Sequence, residues 1–534
     1  MKPSLPNNKR WSPQTREASN LSMLESIEFL YGSDEDAYYQ LKEGVGRCEE
    51  SDPSIVVRDG KTDHTAKGWA VIHRGQSTHA RERKVPSKSV SSTLIALKQK
   101  AMDDKKHRFR HLYSCINLEM LYKCFHQLKA KAAAGVDGVS YDDYAQDLDA
   151  NLRSLLGRLR SKCYRAPKVR RTYIPKAGGK LRALGIPTIE DKIVQQAASH
   201  LLESIFEADF SDQSKGYRSS QIGARDTSLL LRNVLQKGSF RYVVEADIKS
   251  FFDEMDHDWL CRMLEQRVDD RAFIALIRKW LKAGVLHPEE NRVEDTIQGT
   301  PQGGVVSPVL ANIYLHFVLD MWIEWMQRNE FAGEVYFLRY ADDIIVAFER
   351  GADARHYMSQ LPARLAKFKL ALAEEKSSLV KFNSWEADSS GFFTFLGFDY
   401  YWGRGNRNRK GRIAKRRTNK KKFREAVKKF KEWIKEARNW PLKMILSSLR
   451  KKLRGYWNYY CVQSNAKMVS RYLRAITQLT YKWLNRRSQR KSYNWTKFYR
   501  HWLTDWEIPK PKVVEAWVDF KNLETSPQAE MKLA

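Results

Sequence analysis

Two adjacent aspartates, Asp342 and Asp343, interrupt a strongly apolar segment that reads FLRYADDIIVAF. The flanking residues are strong strand formers, whereas Asp is depleted in strands and enriched in turns. The pattern predicts a β-hairpin with Ala341, Asp342 and Asp343 at or beside its tip. Two carboxylates this close repel each other unless a cation neutralises them, and carboxylate oxygens are the ligands that Mg²⁺ selects. An ordinary acidic turn would give the same pattern, so other segments must decide between a metal site and a turn.

A third carboxylate, Asp247, follows an apolar run in VVEADIKSFFDEMDH. Apolar residues flank it, so burying it without a partner would be costly. It is a candidate third metal ligand, and the alternative is an N-cap for a helix that begins in KSFF. Between the two acidic segments lies QGTPQGGVVSPVLANIYL. Its glycines permit close approach of the backbone to a ligand, or they form a plain turn into the apolar helix that begins at Ser307–Pro308.

The elements that must position these acids form a mixed pattern between about residues 110 and 400. Strand-like segments at VRRTYIPKAGGKLRALGIP, RYVVEADIKSFF and FTFLGFDYYW alternate with helical segments at DKIVQQAASHLLESIFEADF and SPVLANIYLHFVLDMWIEWM. The periodicity of 116–131 predicts a further amphipathic helix. Because strands and helices alternate without a strict βαβ rhythm, we predict an α+β fold.

The regions on either side of this mixed segment differ from it in composition. Residues 1–85 are polar and lack apolar periodicity, which predicts a partly disordered extension. After the mixed segment, GRGNRNRKGRIAKRRTNKKK is a basic boundary. Beyond it, apolar residues recur at i, i+4, i+7 and i+11 from Phe423, which predicts one face of a helix. Further helices are predicted at about 441–460 and 466–485.

The charge of the chain points to a polyanionic partner. The formal net charge is +31, and residues 401–500 hold 32 Lys and Arg against three acids, so this block alone carries 29 of those charges. A membrane surface would attract the same charge. Trp, Tyr and Asn interleave the basic residues, however, as in RGYWNYY and YKWLNRRSQRKSYNW, which suits stacking on bases and contact with sugar and phosphate. The sequence therefore favours nucleic acid.

Other compositional features exclude several classes of protein. No run approaches about 18 uncharged apolar residues, so no membrane span is expected, and MKPSLPNNKRWSPQ lacks the apolar core of a secretory signal. Six scattered cysteines without a C-x-x-C pair argue against a zinc module and against a disulfide scaffold. A reducing, cytoplasmic setting is the expectation, and nucleic-acid binding would associate the protein with the nucleoid.

The segments ADIKSFFDEMDH, GTPQGGVVSPVLANIYL and RYADDIIVAF, in that order, resemble the palm motifs of reverse transcriptases. Their spelling is similar to that of bacterial group II intron-encoded proteins, which combine a reverse transcriptase with an RNA-splicing maturase. Similar segments upstream and downstream, including YIPKAGGKLRALGIPTIEDKIVQQA, FLGFDYYW and LRGYWNYYCV, extend the resemblance over roughly 110–505. The resemblance implies a right-hand polymerase with this organisation: an extension at 1–85, fingers and palm at 86–400, a basic helical thumb or maturase domain at 401–480, and a DNA-contacting segment and tail at 481–534.

The resemblance also implies roles for individual residues. Asp247, Asp342 and Asp343 would be catalytic and would bind two Mg²⁺ ions, with the backbone carbonyl of Ile248 as a further ligand. The nucleotide would be contacted by Lys176, Arg182, Phe252, Gln302 and Lys376. Lys176 and Arg182 would contact phosphate, Phe252 would exclude a ribose 2′-hydroxyl and so favour dNTPs, and Gln302 would lie beside the incoming nucleotide.

Each nucleotide contact has a simpler explanation. Lys176 and Arg182 are also explained as solvated loop charges, and Phe252 as a core aromatic, because its neighbour Phe251 must pack somewhere. Lys376 would lie near the leaving pyrophosphate, but it follows KFKLAL where the family usually has F-x-x-x-G-L. SKGYRSSQIG likewise departs from a more usual G-F-R-P spelling, which affects the expected template contact rather than the fold.

The basic block supplies the predicted nucleic-acid contacts. They are Arg412, Lys415, Arg416, Arg417, Lys420, Arg454, Tyr456, Trp457, Arg486, Arg487 and Arg490. The expected partners are intron RNA, target DNA and dNTPs, and the sequence leaves the choice between monomer and dimer open. No paired cysteines follow Cys461, so a zinc-linked endonuclease is not expected.

Two functions of different classes fit these observations. The first is an RNA-directed DNA polymerase that promotes splicing and copies its intron RNA at a DNA target by target-primed reverse transcription. The second is a splicing cofactor whose polymerase site is idle, and a third possibility is a domesticated reverse transcriptase with a cellular role. We favour the polymerase, because a protein that only splices has little need for all three aspartates.

Overall fold

The computed structural model describes residues 89–175, 181–218, 221–290, 292–300, 302–383, 391–405, 411–487 and 492–513. The predicted extension at 1–85 lies outside these ranges, as do Lys176 and Arg490. None of the helices within them has the length and hydrophobicity that a bilayer-spanning segment needs.

The secondary structure alternates between helices and strands up to residue 418 and is helical beyond it. The helices are α1 (Val90–Asp103), α2 (Leu118–Gln127), α3 (Tyr141–Gln146), α4 (Leu148–Arg160), α5 (Ile189–Phe206), α6 (Ala224–Lys237), α7 (Phe251–Glu254), α8 (His257–Glu265), α9 (Arg271–Leu281), α10 (Ser307–Leu315), α11 (Met321–Asn329), α12 (Gly351–Lys367), α13 (Lys420–Ala437), α14 (Leu442–Tyr460), α15 (Ala466–Leu484) and α16 (Trp495–Leu503). The strands are β1 (Val169–Pro175), β2 (Leu181–Ile186), β3 (Tyr242–Ala246), β4 (Val285–His287), β5 (Arg292–Glu294), β6 (Val335–Tyr340), β7 (Asp343–Phe348), β8 (Ser378–Lys381), β9 (Phe393–Phe395), β10 (Phe398–Arg404) and β11 (Arg412–Thr418). This order confirms the predicted α+β fold followed by a helical region.

One compact unit contains the described residues of 89–175, 181–211 and 250–322. Its sheet has the order β2-β1-β4-β5, in which β1 and β2 form an antiparallel hairpin and β1 pairs with β4 in parallel. Helix α5 is buried along most of its length because α1 and α2 pack against it. The predicted strands and helices of this region are confirmed.

The other compact unit contains the described residues of 212–249 and of 323–513. Its main sheet is antiparallel, with the order β6-β7-β3-β8, and this sheet carries the acidic residues. A second antiparallel sheet has the order β11-β10-β9. The two sheets share an apolar core in which Val243 and Ile345 pack with Phe395, Phe398 and other buried side chains. In β11, buried residues alternate with partly exposed ones, as expected for a strand with one face on the core, whereas β7 is buried on both faces.

In the part of the chain that the structure describes, four helices follow the second sheet. Phe430 and Ile434 of α13 are buried against α14 and α15, and Phe423 and Val427 pack at the edge of the same core, which confirms the predicted helix face. The predicted helices at about 441–460 and 466–485 are observed as α14 and α15. The charged residues of these helices lie mainly on the opposite, exposed faces.

Candidate active site

The hairpin that carries the adjacent aspartates is formed by β6 and β7. The two strands pair from Val335 with Phe348 to Tyr340 with Asp343, so Ala341 and Asp342 form a two-residue turn. Ala341 has a φ of +57°, which is unusual for a residue with a side chain and is the conformation that the first residue of a two-residue hairpin turn adopts. The predicted hairpin tip is therefore confirmed, and Asp343 is the first residue of the returning strand.

The third aspartate lies on the neighbouring strand. The last pair between β3 and β7 is Ala246 with Ile344, so one further step of the same register sets Asp247 opposite Asp343. The N-cap alternative for Asp247 is wrong, because Ser250 precedes α7 and no side chain caps that helix. The Asp247 carboxylate instead accepts a hydrogen bond from the ammonium of Lys376.

The cluster of Asp247, Asp342 and Asp343 has an excess of negative charge. The surrounding protein partly desolvates Asp343, and this, together with Asp342 and Asp247, raises the pKa of its carboxyl group to about 6. The ammonium groups of Lys422 and Lys376 act in the opposite direction but do not cancel the effect. A site that holds carboxylates against their own repulsion is chemically suited to a cation.

A fourth acid belongs to the site, and sequence reasoning missed it. Glu245 lies two residues before Asp247 on β3 and therefore on the same face of the strand. Its Oε2 accepts the backbone N–H of Thr394 at 3.3 Å. Burial, followed by the charges of Asp343 and Asp247, raises the pKa of Glu245 to about 7. The i, i+2 spacing in VVEAD was the signal that could have identified it.

These acids open onto a cleft of about 520 Å³. Its lining includes Glu245, Asp247 and Asp343, the turn at 394–397 and Lys422 of α13. Among the described residues, no three acidic, His or Cys side chains are arranged so that they could hold a metal ion together. The donor chemistry suits a divalent cation, but one carboxylate already faces an ammonium group.

The segment that contains Gln213, Lys215 and Gly216 packs against the hairpin that carries the aspartates and holds its turn in place. The backbone N–H of Lys215 donates to the carbonyl of Arg339 at 2.9 Å, and the N–H of Arg339 donates to the carbonyl of Gln213 at 3.0 Å. A Cβ on Gly216 would lie 2.2 Å from the backbone nitrogen of Ala341. Close packing against the turn therefore requires glycine at position 216.

The predicted nucleotide contacts Arg182, Phe252 and Gln302 belong to the other compact unit. Arg182 is exposed on β2, and the backbone carbonyl of Gln302 accepts the N–H of Gly185 at 2.8 Å. Phe252 is only partly buried, whereas its neighbour Phe251 is buried and packs edge-to-face on Tyr314. The core role therefore belongs to Phe251. Lys176 lies outside the described residues.

Two lysines after α12 differ in conformation and in contacts. Lys369 has a φ of +56°. This is the left-handed conformation that a glycine would adopt without strain. Lys376 lies at the end of a short turn of helix and reaches Asp247, and this hydrogen bond raises the pKa of its ammonium.

The predicted nucleic-acid contacts divide into exposed and buried groups. Lys420, Arg454, Arg486 and Arg487 are exposed, and Arg412, Lys415 and Arg417 are partly exposed. Arg490 lies outside the described residues.

Three of these predicted contacts, Arg416, Tyr456 and Trp457, have side chains that are buried within the protein. Arg416 is 1% exposed and donates to the hydroxyl of Ser228 at 2.6 Å. Tyr456 stacks on Tyr472, with ring centroids 3.6 Å apart, and the indole N–H of Trp457 donates to the carbonyl of Pro509. In this structure their aromatic and basic groups contact other parts of the protein.

Comparison with known families gives two matches along the chain. The family described as "Reverse transcriptase (RNA-dependent DNA polymerase)" matches residues 174–400, and "Group II intron, maturase-specific domain" matches residues 420–502. The first match contains all three aspartates, and the second begins with α13 and ends within α16.

Curated proteins are similar to part of this chain. "Group II intron-encoded protein LtrA" of Lactococcus lactis subsp. cremoris is 33% identical over 249 residues, which cover 45% of this chain and 41% of that protein. "Protein YkfC" of Escherichia coli (strain K12) is 38% identical over 191 residues, covering 35% and 49%. The "Uncharacterized 91 kDa protein in cob intron" of Schizosaccharomyces pombe is 34% identical over 274 residues, covering 50% and 31%. The match thus spans less than half the length of these relatives.

Proposed function

This chain belongs to the group II intron reverse transcriptase and maturase family, and on that premise we propose that it is an RNA-directed DNA polymerase that also promotes splicing of its intron RNA. In this proposal it copies the RNA at a DNA target by target-primed reverse transcription and uses dNTPs. The observation that carries the proposal is the opposition of Asp247 and the Asp342–Asp343 turn across two paired strands, at the edge of a cleft that also holds Lys376 and Lys422.

Reverse transcriptases use divalent metal ions, and two Mg²⁺ ions are the proposed cofactors here. Asp247, Asp342 and Asp343 would hold them, with the carbonyl of Ile248, whose backbone is fixed by a bridge to Leu372. Bound ions would supply activation of a primer 3′-hydroxyl and neutralise charge on a triphosphate. The uncompensated charge around Asp343 supports this assignment, since a dication would relieve it.

The protein's own contribution is positioning. The register of β3 and β7 holds two carboxylates as cross-strand neighbours, and the packing of Gly216 fixes the turn that carries Asp342. Lys376 keeps an ammonium group at Asp247, where it limits the repulsion between the acids. Phosphoryl transfer depends largely on such positioning and on charge neutralisation.

The remaining contacts are proposed from the resemblance and from exposure. Lys176 and Arg182 would contact the triphosphate, Phe252 would exclude a 2′-hydroxyl and Gln302 would lie beside the nucleotide. The exposed cations of the helical region would contact RNA or DNA phosphates. These are Lys420, Arg454, Arg486 and Arg487, with the partly exposed Arg412, Lys415 and Arg417.

A splicing cofactor with an idle polymerase site is the second candidate. The basic helical region favours it equally, because folded intron RNA is a large polyanion. The cluster of Asp247, Asp342 and Asp343 does not favour it, because RNA binding alone has no use for three adjacent carboxylates.

The test is primer extension on an RNA template with Mg²⁺ and dNTPs. The parent is compared with the isosteric double variant Asp342→Asn plus Asp343→Asn, and with Asp142→Asn, which removes one exposed carboxylate from α3. We expect extension by the parent and by Asp142→Asn but not by the double variant. If no protein extends the primer while all bind intron RNA and promote its splicing, the polymerase proposal fails and the cofactor remains.

A further inference from the structure

A groove between α15, α16 and the segment at 508–510 is not used by the proposed polymerase chemistry. It has a volume of about 480 Å³. Its floor includes the buried Trp502 and the side chain of Leu473, and its rim carries Trp495, Tyr499 and Arg474. Pockets of this size with an apolar lining and a few polar groups are typical ligand sites.

The aromatic side chains on the rim are exposed and held in place. Trp495 is 44% exposed and Tyr499 is 43% exposed, and their rings lie nearly parallel, at 18°, with centroids 5.8 Å apart. Tyr481 supports Trp495 edge-to-face at 5.0 Å. Two exposed rings that are held by neighbouring aromatic side chains can stack with a planar group at a reduced cost of ordering.

The charge around the groove suits an anionic ligand. None of the described residues that line it is acidic, and the helices α15 and α16 contain no Asp or Glu. Within the described part of the chain, the side chains of Arg474 and Lys510 take part in no ion pair or hydrogen bond. Both cations are therefore available to a ligand, and Gln478 adds an amide that can read the edge of a base.

A planar aromatic group linked to an anion is the chemistry of a nucleotide. A double helix stacks its bases internally, whereas loops and bulges of a folded RNA present bases that can be splayed out onto aromatic side chains. The volume of the groove, about 480 Å³, suits a ligand of nucleotide size. We propose that this groove binds unpaired nucleotides of RNA, with a base stacked on Trp495 and Tyr499 and the phosphates at Arg474 and Lys510.

The proposal rests on the proposed function, because intron RNA is the expected source of the unpaired nucleotides.

The test uses the full chain and a 12-nucleotide single-stranded RNA of mixed sequence, with DNA of the same sequence and the RNA duplex as comparisons. Binding is measured by fluorescence anisotropy over a range of salt concentrations. The variants are Trp495→Leu, Tyr499→Leu, Tyr499→Phe and Arg474→Gln, and Trp440→Leu is the matched control because Trp440 is 40% exposed outside the groove.

We expect the parent to prefer the single-stranded RNA to the DNA and to the duplex. Trp495→Leu and Tyr499→Leu should each weaken its binding about 10-fold without changing the salt dependence, because stacking carries no charge. Tyr499→Phe keeps the ring and should bind as the parent does. Arg474→Gln should reduce the slope of log affinity against log salt by about 0.7.

Several results would overturn the proposal. The first is unchanged RNA binding by both Leu variants. The second is an equal loss of RNA affinity in Tyr499→Phe and Tyr499→Leu, or a similar loss in Trp440→Leu. The others are equally tight binding of DNA with the same dependence on the rings, and a change in self-association instead of RNA binding. Thermal melting of each variant shows whether it is folded, and Tyr499 lies at the rim, so its replacement keeps the core.

The outcome can be separated from that of the polymerase proposal. Primer extension by the parent, together with RNA binding that does not depend on the rings, removes the groove proposal alone. Absence of both primer extension and RNA binding removes both proposals.

Discussion

Replacing Gly216 by Ala should disable the acidic turn although the glycine carries no functional group. A Cβ at this position would lie 2.2 Å from the nitrogen of Ala341, where ordinary contacts begin at 3.4 Å. The turn or the segment that packs on it must therefore move by about 1.2 Å, because the Cβ is bonded directly to the backbone and the Ala341 nitrogen is part of it, so neither atom can rotate away.

The size of the effect follows from that displacement. Overpacking of this kind costs about 1–3 kcal/mol of stability. A catalytic group displaced by about 1 Å can lose about 10²-fold in rate. We therefore expect Gly216→Ala to lower kcat/KM for primer extension by about 10²-fold while the protein stays folded at 25 °C.

The assay is steady-state primer extension, with urea unfolding on the same samples. Gly157→Ala is the matched control, because a Cβ there meets nothing within 4 Å and α4 should become about 1 kcal/mol more stable. Parent-like activity and stability of Gly216→Ala would refute the reasoning, as would equal effects of the two substitutions.

Three further predictions concern other parts of the molecule. Lys369→Gly should raise the free energy of unfolding by about 0.5–1 kcal/mol, because Lys369 has a φ of +56°, and urea unfolding that shows no gain would contradict this. Burial raises the pKa of Asp191 to about 7, so the native state holds a proton that the unfolded state loses, and stability falls as pH rises from the unfolded pKa towards 7. Asp191→Asn should therefore gain about 2 kcal/mol relative to the parent between pH 5 and pH 8, and parallel pH profiles from urea unfolding would refute the assignment. Lys376→Met should lower the Mg²⁺ concentration for half-maximal extension by about 2- to 5-fold, because an exposed ammonium group no longer competes for Asp247. The rate at saturating Mg²⁺ should fall. A Mg²⁺ titration in which the half-maximal concentration is unchanged would contradict this prediction.

The features that the sequence predicted correctly are those encoded locally. The hairpin around Asp342 and Asp343 follows from strand formers on both sides of two turn residues, and Asp247 follows its strand directly. The helices after residue 420 follow from apolar residues at helical spacing. In each case the pattern needs only neighbours within one or two elements, so no knowledge of tertiary packing was required.

The features that the sequence did not predict depend on residues far apart in the chain. Gly216 matters because its segment lies against Ala341, and Glu245 belongs to the site because Thr394 approaches it. Arg416 and Tyr456 were predicted to contact nucleic acid because they lie in a basic, aromatic segment, but both are buried. Composition indicates what a segment favours as a whole, whereas the direction of each side chain is set by the fold around it.

The central claim is that Asp247, Asp342 and Asp343 hold the metal that catalyses RNA-templated DNA synthesis. The most direct test is the rate of addition of a single dNTP to a primer on an RNA template, under single-turnover conditions, for the parent and for Asp343→Asn. The account predicts a loss of about 10³-fold or more with unchanged RNA affinity, because several kcal/mol of charge stabilisation disappear from the transition state. A rate within a few-fold of the parent would contradict the account.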